Sequence, residues 1–324
     1  MQKVFAALML AALAAGCCCT EPQSTVYTHP DPRTYAELTG QNPQKAVAVK
    51  NDILTVKNRH GEIKISLIGA NVFSYVPTGG QEVLFSVKNP DFTTNDFLHA
   101  GIPICWPWFN MNGEAGSAMH SFVRQMRWKV VENVAGQNVS RLVLSLESNR
   151  ETLRMWPYEF KLLYTIELGE SLNVSLRTTN TGDIPFFITE GFHTYLEVSD
   201  VNSVALRGLD GVRNDRIYSG AANPIFKGDL KFYAGEGRVF FPGKGEYVLF
   251  DEGKNRAIAL AARGHRKLIL WSIPPSSSTG QFDENDWKRF VCLEPSTISR
   301  EAQIKVLPGR EHELRMNIKA VPLK

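Results

Sequence analysis

Three polar islands interrupt otherwise apolar text in this sequence. They are His120-Ser121-Phe122-Val123-Arg124, His193-Thr194-Tyr195 with Asp200 just beyond, and Glu294 inside Phe290-Val291-Cys292-Leu293-Glu294-Pro295-Ser296. An ionisable group in such surroundings must be paired, hydrogen-bonded or wet, because stranding it costs on the order of several kcal/mol. Taken singly, each island also reads as structure: a lone histidine as a satisfied core imidazole, Glu294 as the partner of an arginine at a strand end. Taken together, a carboxylate, two imidazoles and a guanidinium have the complementary chemistry of one cleft that moves protons on a bound molecule. Zinc is the competing use of two histidines and a carboxylate, but the close spacings of zinc motifs are missing and no metal is expected. Phosphate-cradling loops, dinucleotide fingerprints, nucleophile elbows and zinc-protease helices find no match either.

The elements that must hold these islands are strands. Apolar residues recur at two-residue spacing in Ile63, Ile65, Leu67; in Leu142, Leu144, Leu146; in Leu172, Val174, Leu176; and in Leu314, Met316, Ile318. Such alternation buries one face of a segment and wets the other. More than a dozen segments of this kind are broken by turn signals such as Asn58-Arg59-His60-Gly61, Thr181-Gly182-Asp183 and Pro308-Gly309. Long stretches of helical period are missing, as is any fixed repeat. The expectation is an all-β chain folded as a large antiparallel β-sandwich, as a single domain over residues 45–324.

With 324 residues, 43% of them hydrophobic, the chain can bury a full core. Its net charge of +3 is far from the concentrated positive field that a phosphate backbone needs, which argues against nucleic acid as a partner. Five cysteines are too few for a disulfide framework, and three are consecutive at Cys17, Cys18 and Cys19. Residues 1–16 run from Lys3 into a short apolar stretch, too short to span a bilayer, and read as a secretory signal. Leu13-Ala14-Ala15-Gly16-Cys17 resembles a bacterial lipobox, with Cys17 as the lipidated residue. Residues 17–44 then form a polar, proline-bearing tether. An exported periplasmic or cell-envelope lipoprotein is expected, touching the membrane only through that anchor. A bridge between the remaining Cys105 and Cys292 is possible but not demanded.

Beyond these physical readings, the run Gly101-Ile102-Pro103-Ile104-Cys105-Trp106-Pro107-Trp108-Phe109, followed by the His120–Arg124 island and Trp128, resembles the GGIPxCWPWFG and HGFAR-x-x-x-W signatures of the hexose-6-phosphate mutarotases. These are also called glucose-6-phosphate 1-epimerases and belong to the galactose-mutarotase-like group. Further matches are Trp156-Pro157-Tyr158-Glu159-Phe160, His193-Thr194-Tyr195, Val198-Ser199-Asp200, Gly208-Leu209 with Asp215, and Phe290–Glu294, collinear over residues 48–321. The resemblance implies a β-supersandwich and mutarotation: a cyclic aldose opens, turns about C1–C2 and closes as the other anomer, with no cofactor. It places Glu294 as the base, His193 as the acid, and His120, Arg124 and Asp215 at the substrate. General acid–base catalysis typically supplies about 10²–10⁴-fold. For Asp215 a solvated turn is the competing reading, and Trp106 and Trp108 are expected in the core and the cleft wall.

One departure bears on the substrate, expected to be a hexose or a hexose phosphate. Where phosphate-using relatives read Arg-Gly-Gly before Ile-Pro, this chain reads His99-Ala100-Gly101, exchanging a permanent cation for a mostly neutral imidazole. Phosphate affinity should fall unless Arg127, Arg213 or Arg216 compensates. Two rivals remain. A non-catalytic carbohydrate-binding lipoprotein would not need an acid and a base, and a glycoside hydrolase would need a second carboxylate, from Asp200 or Asp215, beside Glu294.

Overall fold

The computed structural model describes residues 47–50, 52–93, 98–110, 118–217, 222–223, 225–241, 243–277 and 280–323. The expected signal and tether, with Cys17, lie outside the described residues. No helix among the described residues is long and apolar enough to cross a membrane.

Alternation becomes sheet as the periodicity requires. In the hairpin of Phe160–Leu168 and Leu172–Asn180, buried and half-buried residues alternate without a break through both strands. They sit in a nine-stranded antiparallel sheet that also holds Ser140–Glu147, Arg256–Arg263 and Glu311–Pro322. A second, eight-stranded sheet contains Ile104–Cys105, Gly191–Phe192, Thr194–Glu197, Asn214–Arg216, Gly237–Phe240, Lys267–Trp271 and Phe290–Ser296. Leu268, Leu270, Val291 and Leu293 from this sheet join Leu260, Leu314, Met316 and Ile318 from the other in one buried cluster. The sheets therefore share a core, and each fully buried aliphatic side chain there contributes roughly 1.5–3 kcal/mol. Strands Val47–Lys50 to Val72–Pro77 form a four-stranded antiparallel sheet of their own, whose Leu54, Val56, Ile63 and Ile65 extend the same core.

Since side chains alternate, every residue next to those core positions must point the other way. On the eight-stranded sheet that opposite face carries Phe290, Cys292, Glu294 and Ser296 from one strand, and Lys267, Ile269 and Trp271 from its neighbour. It is not left bare. Cys105, Phe109 and Ile269 make one small apolar cluster over it, and Phe85, Tyr195, Ile273, Phe290 and Cys292 make another.

Candidate active site

Register decides what meets on that outer face. Thr194 pairs with Leu293 and Gly191 with Ser296, which sets His193 directly across from Glu294. His193 Nε2 lies 3.6 Å from Glu294 Oε1. Both are buried, at 6% and 1% exposure. Of the two small apolar clusters that flank Glu294, one holds Cys292 and the other Ile269, its neighbour across the strand pair. Among the described residues Glu294 Oε1 is buried with no hydrogen bond. Burial alone pushes its carboxyl well above the usual carboxylate range. Burial, and then the charges that His120 and His99 would carry, push the His193 imidazole well below its ordinary value. Both shifts favour uncharged forms, in which the pair holds one proton on the carboxyl; passing it to the imidazole gives carboxylate and imidazolium with the same proton count.

Rings brace the imidazole. Tyr195 stacks on His193 at 4.9 Å between ring centres and Phe109 lies parallel to it at 6.2 Å, while Trp271 meets it edge-on at 5.9 Å. Phe109 can lie there only because residue 191 lacks a side chain: a Cβ on Gly191 would come within 2.7 Å of the Phe109 ring and 2.9 Å of Ser296 Cβ.

His120 enters from a loop. His120 and Ser121 both have left-handed backbone, φ 57° and 71°, a conformation costing roughly 1–3 kcal/mol in a non-glycine residue. The turn is held by His120 N–H donating to the Asn110 carbonyl and Ser121 N–H donating to that of Ala118. It places the His120 ring 5.2 Å from that of His193 and 4.9 Å from that of Phe109. The Asn110 N–H donates to His120 Nδ1 at 3.2 Å. A peptide N–H can only donate, so Nδ1 is an acceptor and the ring hydrogen sits on Nε2. Burial, with smaller effects from Arg124 and His99, brings the His120 pKa down to about 3.

The remaining expected residues divide by distance. Arg124 donates through Nε to the Met119 carbonyl at 3.2 Å and acts electrostatically on His120 and Cys105, so its charge is felt at the site. His99 acts on both His193 and His120 and stacks near Trp271 at 6.5 Å. Asp215 stands in the row Asp215, Val239, Ile269, Glu294, three strands from Glu294 and roughly 14 Å away by strand spacing. Only a molecule lying along that row could touch both. Its Oδ1 lies 3.8 Å from the guanidinium of Arg213.

Asp200 does not join the site. Its carboxylate accepts from Asn202 N–H at 2.8 Å and caps a short 3-10 turn at Val201–Ser203, a local use that the Asp-x-Asn spacing favours. It supplies no second carboxylate beside Glu294. Nor do Cys105 and Cys292 form a bridge. Cys105 shares a row with Gly191 and Ser296, while Cys292 lies four residues further along its strand, about 13 Å, beyond the ~7 Å limit for bridging Cα atoms. Trp106 is in the core, and Trp108, donating from its indole to the Ala118 carbonyl, walls the loop. Cys292 was expected only as half of that bridge and not at the site, yet its sulfur lies with the His193 and Glu294 ligand atoms inside 4.8 Å, a set able to hold a soft divalent ion. Only its two-residue spacing from Glu294 on one strand could have flagged it.

What this face of the sheet offers, then, is a buried imidazole and carboxylate 3.6 Å apart, a donor imidazole, an adjacent guanidinium and aromatic rings around them. Comparisons with known proteins bear on the family and the fold. Residues 52–319 match the family model described as aldose 1-epimerase. An Escherichia coli (strain K12) protein provisionally named a glucose-6-phosphate 1-epimerase is 28% identical over 255 residues, 78% of this chain and 85% of that protein. A Cenchrus ciliaris protein with the same provisional name is 28% identical over 80% of this chain and 81% of its own length. The crystal structure of a provisionally named mutarotase from Salmonella typhimurium superposes with a TM-score of 0.79 at 25% identity, covering 89% of this chain and 99% of that one. A galactose mutarotase related enzyme from Lactobacillus acidophilus shares the fold at 13% identity, with a TM-score of 0.67 over 84% of this chain and 99% of its own. By a family match over residues 52–319, which include His99, His120, Arg124, His193, Asp215 and Glu294, the chain belongs to the aldose 1-epimerase family and is an isomerase.

Proposed function

We propose that the protein interconverts the α and β anomers of a free hexose, with Glu294 as base and His193 as acid. Glu294 takes the proton of the anomeric hydroxyl as the C1–O5 bond breaks and C1 becomes a carbonyl. His193 gives a proton to O5. After rotation about C1–C2, O5 attacks the other face of the carbonyl; His193 recovers its proton and Glu294 returns one to O1. The sugar is isomerised and the pair is restored, so no cofactor enters the balance. Opening starts from the charge-separated form of the pair, which the sugar's own hydroxyls help to stabilise by hydrogen bonding. The observation that carries this reading is the 3.6 Å separation of His193 Nε2 and Glu294 Oε1. O1 and O5 are bonded to one carbon, so the groups serving them must be close neighbours. The Nε2–H of His120, the guanidinium of Arg124, Asp215 and His99 are assigned to hydroxyls around the ring.

The preference for a free sugar rests on His99, which stands where phosphate-using relatives carry arginine and whose imidazole burial drives toward the neutral form. Export agrees with it: residues 1–16 and Cys17 have the grammar of a lipoprotein signal, and this reading has the enzyme working in the cell envelope, where sugars are usually unphosphorylated. Polarimetry tests both parts. Freshly dissolved α-glucose or α-galactose should reach its equilibrium rotation faster with the purified protein than without it. Acceleration confined to glucose 6-phosphate would refute the free-sugar preference, and no acceleration of either would refute the reaction.

A further inference from the structure

Alternation and register bring a third ligand to the acid and the base, and it is a sulfur. Cys292 and Glu294 stand two residues apart on the strand Phe290–Ser296, so their side chains leave the same face of the sheet. The neighbouring strand Thr194–Glu197 pairs Tyr195 with Cys292 and Thr194 with Leu293, and His193 comes just before it. One ligand atom from each of Cys292, His193 and Glu294 lies within 4.8 Å of the other two, and all three residues are buried. No motif spacing describes this set, because its members come from two segments that only the sheet brings together.

The distances suit an ion. Zinc holds sulfur at about 2.3 Å and nitrogen or oxygen at about 2.0–2.2 Å, which sets tetrahedral neighbours roughly 3.4–3.6 Å apart. His193 Nε2 and Glu294 Oε1 already stand at 3.6 Å. The sulfur, inside 4.8 Å, reaches the same spacing by a shift of roughly 1 Å. Glu294 Oε1 also makes no hydrogen bond among the described residues although it is buried, a costly arrangement that a metal ion relieves.

Charge selects the ion. Burial, and then the charge that Glu294 would carry, push the Cys292 thiol well above its ordinary value, and burial does the same to the Glu294 carboxyl. Either anion alone is therefore disfavoured. A divalent cation between them cancels both: the thiol and the carboxyl give their protons to solvent, the neutral imidazole gives its lone pair, and the assembly carries no net charge. Buried charges persist when they coordinate a metal in this way. A thiolate beside an imidazole favours zinc and its neighbours over magnesium or calcium, which prefer oxygen ligands.

We propose that Cys292, His193 and Glu294 form a site for one divalent cation of the zinc class, and that the ion and the sugar exclude each other there. With three protein ligands, a tetrahedral ion keeps one position for water. The ion takes the carboxylate oxygen and the imidazole nitrogen that the proposed reaction uses, so the filled site has neither base nor acid to offer. It is an inhibitory site and not a cofactor site. The exclusion rests on the mutarotase reading; the binding of the ion does not.

Cobalt(II) is the probe, because a thiolate ligand gives it a charge-transfer band in the ultraviolet and tetrahedral geometry gives it strong visible bands. The full mature chain carries Cys17→Ser, Cys18→Ser and Cys19→Ser, which leaves Cys105 and Cys292 as its thiols. One equivalent of cobalt should bring up both sets of bands, and one of zinc should remove them. Cys292→Ser should lose the charge-transfer band. Cys292→Ser and Glu294→Gln should each weaken binding by about 100-fold, at least what is lost when a group that only orients a ligand is removed. A folded Cys105→Ser should keep both bands and affinity. Absence of the bands before Cys292 is changed, or their survival in a folded Cys292→Ser, overturns the site; if that variant does not fold, unchanged affinity in Glu294→Gln overturns it. Zinc should also stop polarimetric mutarotation in step with its occupancy, with recovery on adding EDTA, and a rate that survives saturation overturns the exclusion. No mutarotation, together with cobalt binding that depends on Cys292, would remove the reaction and leave the site standing.

Discussion

Gly191→Ala puts the support of the acid histidine to a quantitative test. Nothing in the backbone forbids the change, since Gly191 does not have a left-handed φ; the obstacle is space. The added methyl would sit 2.7 and 2.8 Å from two carbons of the Phe109 ring and 2.9 Å from Ser296 Cβ. Ordinary carbon contacts need about 3.5–4.0 Å, so the ring must retreat by roughly 1 Å. Its backbone cannot follow freely, because Phe109 N–H donates to Thr189 Oγ1 at 2.8 Å. Phe109 lies parallel to His193 and edge-on to His120, so both imidazoles lose a wall or are pushed by it. Overpacking of this size costs typically about 1–3 kcal/mol. A displacement of ~1 Å at a reacting group can cost on the order of 10²-fold in rate. Urea unfolding of Gly191→Ala should therefore show a loss of about 1–3 kcal/mol, and polarimetric kcat should fall by roughly 10–100-fold with far-UV circular dichroism unchanged. Adding Phe109→Leu should restore part of the stability without restoring the rate. A Gly191→Ala protein with both stability and kcat at their original values would refute the claim that this close contact sets the histidine geometry.

Three further outcomes follow from the same geometry. Glu294→Gln and His193→Asn, each close in shape to the original, should fold and lose about 10²–10⁴-fold in mutarotation, and retention of the rate by either in a folded protein would remove that residue from its role. The active pair carries one proton, so activity should fall toward acid as His193 takes a second and toward alkali as Glu294 loses the last; because His193 is pushed well below 6.5, an acid limb at or above 6.5 in the pH profile of kcat would contradict the burial. His120, with its pKa lowered from 6.5 to about 3 in the fold, binds fewer protons native than unfolded between those values. The stability it contributes is thus complete above about pH 6.5 and is lost as the pH falls toward 3, by up to ~1.4 kcal/mol per pH unit. His120→Asn should flatten the decline of urea midpoints between pH 6 and 4, and an unchanged slope would refute the shift.

Much of this protein is legible along the chain because the causes are local. Two-residue alternation in Phe160–Leu168 and Leu172–Asn180 is a property of consecutive side chains, and it dictates strands with one wet and one buried face. The same local logic made an imidazole at His193 and a carboxylate at Glu294 conspicuous, since either would be costly if stranded in apolar text. Local text was also misleading where short-range bonding competed: Asp200 lies seven residues beyond His193, yet it spends its carboxylate on the turn that follows it.

What no inspection of neighbours supplies is register. His193 faces Glu294 because Thr194 pairs with Leu293, and that pairing is enforced by Val291 and Leu293 entering the inter-sheet core; a slip of one residue would send Glu294 inward. The meeting of His193 with the Cys292 sulfur, the left-handed turn that swings His120 inward, and the ring of Phe109 over Gly191 are likewise contacts between segments that the core brings together. The sequence by itself determined the strands, the residue types and the family resemblance, since these depend on what each residue is and which residues adjoin it. Tertiary structure alone decided the separations, the tautomers and the protonation tendencies, because those depend on what burial places within a few ångströms.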